Sequence, residues 1–176
     1  VASLAAVSIA GMVVGNIVFV SGCTGQDTIT GKPTPKNFAD QMKIALDKAR
    51  IAMENAGSSM ENIVKTFCMV RSLDDYPQLR KIEVEYYAEH APYLLENPPA
   101  ATFIVVSSLA RPEFLVEFEI VGVVDRAAPE WGVKYYPEYW GGKKLAYPHV
   151  PKEHAKFART EVVGNLVIIS GCQALD

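Results

Sequence analysis

The feature that most constrains this chain is a stretch that occurs twice. Val13-Val14-Gly15-Asn16-Ile17-Val18-Phe19-Val20-Ser21-Gly22-Cys23, closing at Asp27, returns as Val162-Val163-Gly164-Asn165-Leu166-Val167-Ile168-Ile169-Ser170-Gly171-Cys172, closing at Asp176. Nine of the fifteen positions are identical at an offset of 149, and the changes Ile17/Leu166, Phe19/Ile168 and Val20/Ile169 are conservative. A domain-length offset of this kind is the mark of tandem duplication. The expected organisation is one domain over residues 1–125, an aromatic and proline-rich strap over 126–155, and the opening hairpin of a second domain over 156–176.

Gly-Asn between two β-branched runs predicts a tight hairpin turn that needs positive φ, and Ile17 to Val20 reads as a strand with two buried faces. Ser21-Gly22 is expected to stop that strand and bring bare backbone to a surface. In both copies a cysteine follows at once.

Length and composition narrow the function. A chain of 176 residues, 49% hydrophobic and 21% charged, has the make-up of an ordinary globular protein with a sizeable core. Seventeen basic against twenty acidic residues give a net charge of −3, and no basic run is long enough to track a phosphate backbone, so nucleic acid is not an expected partner. Cys23, Cys68 and Cys172 show neither an even count nor CxxC spacing, so no disulfide framework, zinc site or cofactor is expected, and a reducing, cytoplasmic setting fits best. The first twenty residues are apolar but lack a basic start and are broken by Ser8, Gly11, Gly15 and Asn16, which reads as a hairpin and not as a signal peptide or membrane span. The chain starts without Met, and loss of residues upstream is expected.

Along the chain, a first hairpin runs from about Val7 to Val20, and Thr34-Pro35 reads as an N-cap followed by proline at the first helical position. Phe38, Met42, Ala45, Leu46, Ala49, Ala52 and Met53 recur at helical spacing up to a stop at Gly57. A strand over Asn62 to Ser72 follows, then a helix from about Pro77 to His90 with Leu79, Ile82, Tyr86 and also Val84 and Tyr87 inward. Strands over Thr102 to Leu109 and Phe114 to Val124 are joined around Arg111-Pro112. This order predicts an α+β fold, one mixed sheet with both helices on one face. The strands are apolar on both sides, as in Ile104-Val105-Val106, so the other face also needs covering, and oligomerisation supplies that. Trp131, Tyr135, Tyr136, Tyr139, Trp140 and Tyr147 make the strap too rich in large rings for a flexible linker.

Val14-Gly15-Asn16-Ile17-Val18-Phe19-Val20-Ser21-Gly22, Gln41 with Ala45-Leu46, Ala56-Gly57, Asn62-Ile63-Val64-Lys65, Asp75-Tyr76, Pro99-Ala100 and Val116-Glu117-Phe118-Glu119 resemble the Rid superfamily, also called the YjgF family and once labelled L-PSP endoribonuclease. The resemblance covers about residues 7–125. It implies a chorismate-mutase-like fold assembling as a trimer or pseudo-trimer, with clefts between subunits in which reactive enamines and imines are hydrolysed with release of ammonia. In well-known members an arginine directly after Pro-Ala clamps the substrate carboxylate. Here Ala101 stands there, and Arg111 lies too far along to replace it, which speaks against the typical imine deaminase activity. The family's glutamate is retained as Glu117.

The candidate chemistry follows from these positions. Cys23, repeated as Cys172, is either a nucleophile beside backbone N–H groups that stabilise an oxyanion, or a small apolar filler inherited by both copies. Glu117 is either a general base or one half of an ion pair across a subunit boundary, and Glu119 on the same strand face competes for either role. Ser21, Gly22, Ala101, Thr102 and Glu119 are the expected substrate-binding positions. Cys68 reads as core, His90 as a helix-end dipole partner, and His149 and His154 with Glu153 lack the spacing of a metal site. The halt at Asp176, in mid-motif, leaves two explanations: the remainder of the second domain is disordered or missing, or a precursor is cleaved after Asp176 into two chains. The expected activity is Rid-type hydrolysis of a small carbonyl, imine or amide, by a homo-oligomer or with a second chain that carries the rest of the second domain. The alternative is a non-catalytic small-metabolite binder or assembly subunit, and RNA cleavage rests on the old family label alone.

Overall fold

The computed structural model of the chain describes residues 11–28, 30–136, 139–140, 143–144 and 160–172. The calls on His149, Glu153, His154, Tyr147 and Asp176, and on the start of the first hairpin before Gly11, lie outside the described residues.

The Gly15-Asn16 turn joins β1 (Gly11–Val14) to β2 (Ile17–Thr24), with Val14 opposite Ile17. Only Gly15 takes positive φ, at 60°, and Gly164 repeats this at 56° in the second copy. Positive φ at the first central residue alone is the II′ pattern, whose twist suits a two-residue hairpin. Asn16 instead anchors the turn. Its side chain donates to the carbonyls of Asp125 (2.7 Å) and Trp131 (3.1 Å) and accepts from Asp125 N–H (2.9 Å).

Ser21-Gly22 does not end the strand, contrary to expectation. β2 continues to Thr24, and between the Val20–Ile120 and Cys23–Phe118 pairs it carries three steps against two on its neighbour. One extra residue is a β-bulge, and because side chains alternate, it reverses the facing of everything beyond it.

Helix α1 (Phe38–Asn55) starts three residues later than Thr34-Pro35 suggested. Asn37 is the N-cap. It accepts from Asp40 N–H at 2.9 Å and its amide donates to the Asp40 carboxylate at 2.8 Å, a reciprocal cap that proline at position 35 does not offer. The far end closes as expected at Gly57 (φ +77°), with Ser58 N–H on Met53 O and Gly57 N–H on Glu54 O, the Schellman arrangement.

Beyond it come β3 (Ile63–Val70), α2 (Tyr76–His90), the single turn α3 (Tyr93–Glu96), β4 (Ala100–Val105) and β5 (Val116–Val123). The sheet order is β1-β2-β5-β3-β4, with β3 and β4 parallel and the other neighbours antiparallel. β4 and β5, adjacent in sequence, are therefore not paired; β3 lies between them and β4 is an edge. Both helices share the face formed by Val18, Val20, Cys23, Cys68, Val70, Val116, Phe118 and Ile120. On α2 the inward residues are Leu79, Ile82, Glu83, Tyr86 and Tyr87, while Val84 is exposed.

The opposite face is covered in part by the chain itself. β6 (Val133–Tyr136), β9 (Thr160–Val163) and β10 (Leu166–Ile169) form a second sheet in the order β10-β9-β6, apart from the small β7 (Tyr139–Trp140) and β8 (Lys143–Lys144) ladder. Val163 and Ile168 of the repeated hairpin pack on Ile17, Val64, Ala100 and Val123. Trp131, at the start of the expected strap, lies against the Gly164 turn. The equivalent first-hairpin positions, Val14 and Phe19, remain exposed with Met12.

Candidate functional site

The residues expected to form one site occupy two. The first is at the bulge. Glu117, on β5 opposite Thr24 and Met69, lays its carboxylate over Gly22: a Cβ at that glycine would fall 2.0 Å from Oε1. Glycine here is a matter of space, because any side chain would expel the carboxylate. Glu119 is two residues on and faces the same side. Behind the strand, Lys48 of α1 donates to Thr24 O (3.0 Å) and Gln26 O (3.4 Å), and burial lowers its pKa.

Cys23 belongs to this place but faces the helices, 6% exposed within the main core, with its thiol on Ser21 O at 3.4 Å. Burial pushes its pKa up to about 11; Lys48 pulls it down and Glu117 adds to the rise. At neutral pH that leaves roughly one thiolate in ten thousand, a poor nucleophile. Burial also holds the Cys68 thiol well above its usual range, in keeping with its reading as core. Cys172 is exposed. The same tripeptide thus buries its thiol in one copy and shows it in the other: β5 pairs with the first copy beyond the bulge, and among the described residues no strand does so for the second.

Native protein treated with iodoacetamide is accordingly expected to label at Cys172 and, before unfolding, at neither Cys23 nor Cys68, as read by peptide mass spectrometry. Rapid labelling of Cys23 would contradict its burial.

The second site is at the β4 edge. Gly171 N–H donates to Ala101 O (2.9 Å) and Ala101 N–H donates to Ser170 Oγ (2.9 Å), so the repeated Ser-Gly lies along the edge at the alanine that follows Pro-Ala. Gly171 Cα is close enough to Thr102 that an added Cβ would stand 3.5 Å from its methyl and hydroxyl. Lys65 Nζ donates to Thr102 Oγ1 and to Ile169 O, both at 2.7 Å. Burial lowers its pKa and the neighbouring Cys172 raises it. Arg111 is at a distant turn, 57% exposed, against Glu113 and the Phe114 ring. Sequence reasoning singled out Ser21, Gly22, Glu117, Ala101 and Thr102. It did not assign roles to Lys48 and Lys65, although a lysine amid the apolar positions of β3 was a visible signal. His90 stacks on Tyr86 at 4.4 Å and lies 3.7 Å from Glu89, at the end of α2. Among the described residues no group of His, Cys, Asp and Glu is arranged to hold a metal ion, and no helix is long and apolar enough to cross a membrane.

A profile of the family described as Endoribonuclease L-PSP matches residues 2–124. The chain belongs to the Rid (YjgF) family. Solved structures agree on the fold. The YjgF gene product of E. coli is 26% identical, with a TM-score of 0.60 over 67% of this chain and 88% of its own. E. coli TdcF, solved with bound serine, is 23% identical, with a TM-score of 0.59 over 66% and 87%. Yeast Mmf1 is 21% identical, with 0.59 over 69% and 90%. No curated protein matches the chain. The Rid match ends before the repeated hairpin, so the Ser170-Gly171 contact with Ala101 lies where the matched Rid domain meets sequence outside it.

Proposed function

We propose that this Rid protein is a hydrolase of the deaminase-like kind, acting on a small carbonyl, imine or amide compound where a β4 edge meets a Ser-Gly-Cys turn. The observation that carries the reading is the pair of hydrogen bonds from Gly171 N–H to Ala101 O and from Ala101 N–H to Ser170 Oγ, which brings a duplicated Rid motif against the position that follows Pro-Ala. Thr102, Ser170 and the backbone after Gly171 orient the substrate, and Cys172, with its exposed thiol, is the available nucleophile. Glu117 serves the equivalent segment at the Ser21-Gly22 bulge, as a base that positions water. That segment reaches a complete site when the β4 edge of another Rid-type domain meets it, in a trimer or pseudo-trimer made with further copies or with the rest of the second domain. Residues 126–155 are then the strap between domains, and 156–176 open the second. Serine bound to TdcF supports a small-molecule site over a nucleic-acid surface, as does the net charge of −3. Cytoplasmic residence fits the free thiols.

A non-catalytic metabolite binder is the second reading. It is favoured by the methyl group at Ala101 and by the want, among the described residues, of a carboxylate bonded to Ala101 or Thr102. The deciding assay follows ammonia release from a 2-imino acid generated in place by an amino-acid oxidase, with a small amide in parallel. Acceleration by wild type that is lost in Thr102→Phe and reduced in Cys172→Ser or Glu117→Gln supports the hydrolase. Ligand binding with no acceleration of either reaction leaves the binder.

A further inference from the structure

Lys65 is out of character with its surroundings. Its direct partners across the sheet are Val121 on β5 and Ala100 on β4, and Ala100, Val64 and Val123 nearby are fully buried. Lys65 itself is half buried, and a lysine in such a setting normally finds a carboxylate, since an uncompensated charge is costly where water is partly excluded. Among the described residues Lys65 makes no ion pair. Its two partners, the Thr102 hydroxyl and the Ile169 carbonyl, are neutral. An ammonium has three N–H donors, so one remains. Gly171 and Cys172 beside it are exposed, which leaves an approach from solvent.

We propose that Lys65 is the anion anchor of the β4-edge site: its third N–H and its charge hold the carboxylate of a small substrate against Thr102 and the Ser170-Gly171 turn. This rests on the reading of that turn as the substrate site. A single ammonium, with no arginine or second lysine bonded alongside among the described residues, suits a monoanionic carboxylate better than a phosphate, which is usually met by several donors. Thr102 and Ile169 O fix two of the three N–H directions, so the anchor is oriented before substrate arrives. The lysine belongs to β3 and the carbonyl to the repeated hairpin, so the anchor is set only when that hairpin is docked.

The test is titration of the 15N-labelled chain with pyruvate and with its neutral isostere pyruvamide. Wild type is expected to show pyruvate-induced shifts at the Thr102 and Gly171 amides, weakening as ionic strength rises. Lys65→Gln, which keeps a donor for Thr102 but no charge, is expected to weaken pyruvate binding roughly ten- to a hundredfold. Lys65→Arg keeps most of the affinity, and neither change affects pyruvamide. Thr102→Phe separates the two levels of the argument. If it abolishes pyruvate binding while Lys65→Gln leaves binding and its salt dependence unchanged, the anchor is overturned and the site stands. If pyruvate fails to bind wild type, or binds without regard to either substitution, both are overturned.

Discussion

Replacing Gln41 by methionine is expected to lower the stability of the protein by about 3–5 kcal/mol while leaving the side-chain volume nearly unchanged. Gln41 is fully buried on α1 and does the work of three backbone partners. Its Nε2 donates to Pro35 O (2.7 Å) and Glu113 O (2.8 Å), and its Oε1 accepts from Leu115 N–H (2.8 Å). The amide thereby ties the segment before α1 to the segment before β5. Methionine fills the space but leaves unmet an N–H and two carbonyls that face the buried amide, and such groups cost about 1–3 kcal/mol each where water does not reach them. The close approach of Gly25 adds to the constraint, because a Cβ there would lie 2.3 Å from Gln41 Cβ, so the strand end cannot draw back to readmit water without losing its own packing. Urea unfolding followed by circular dichroism measures the loss. Gln41→Glu is expected to be as damaging, since a carboxylate can accept from Leu115 but presents charge to two carbonyl oxygens. A loss under 1 kcal/mol in both variants would show that the three groups find other partners.

Docking of the repeated hairpin is expected to weaken as pH rises from about 5 to 8. Glu161, fully buried on β9, stands 3.6 Å from Arg126 Nη1, and although Arg126 and the Ala100 N–H lie nearby, neither makes a hydrogen bond of good geometry to its oxygens. Arg126 is already committed to Glu61 O (3.0 Å) and Ile63 O (2.6 Å) and lies over the Tyr93 ring. Burial pushes the Glu161 pKa from 4.5 up to about 8, against the opposing pull of Arg126 and the Ala100 N–H. Below the lower value the carboxyl is protonated whether docked or free, and nothing is lost. Between the two values the docked hairpin keeps a proton that the free hairpin gives up, so stability falls with rising pH. Above pH 8 the loss is complete, on the order of 3–5 kcal/mol. Glu161→Gln removes the titration and flattens the profile. Hydrogen exchange of the Thr160–Ile169 amides at pH 5 and pH 8.5, corrected for intrinsic rates, reads the difference. Equal pH dependence in wild type and Glu161→Gln would assign it to another group. At the same place in the first copy stands Met12, which carries no such liability.

The two predictions concern the two contacts that hold the candidate site. Gln41 keeps β5, and with it Glu117, in register over Gly22. Glu161 and Arg126 act where the repeated hairpin meets the Rid domain, near the Ala100-Ala101 edge that Ser170 and Gly171 join. The Lys65 anchor depends on the second contact, so anion binding and hairpin docking are expected to weaken together as pH rises from about 5 to 8.

What could be read without coordinates were the features that repeat locally. Gly-Asn between β-branched runs gave both hairpins, because only a residue free to take positive φ fits the first position of that turn. Helical spacing from Phe38 to Met53 gave α1 and its buried face, and Gly57 its end. The helix start was missed by three residues, since Thr34-Pro35 and Asn37 are both plausible caps and the choice fell to Asp40, which completes a reciprocal pair with asparagine. The pairing order was also beyond local reach: that β3 separates β4 from β5 follows from the α2 crossover between parallel strands.

The sequence alone determined that a Ser-Gly-Cys segment occurs twice and that alanine stands after Pro99-Ala100. Only the tertiary structure decided what each copy does. One bulged residue opposite β5 turns Cys23 into the helix-side core and leaves Gly22 bare beneath Glu117. With no such partner among the described residues, the second copy lies along the β4 edge with Cys172 exposed. The physical reason is the two-residue period of a strand. Which face a side chain takes depends on the number of residues pairing across the ladder, and that is a property of the neighbour and not of the segment itself.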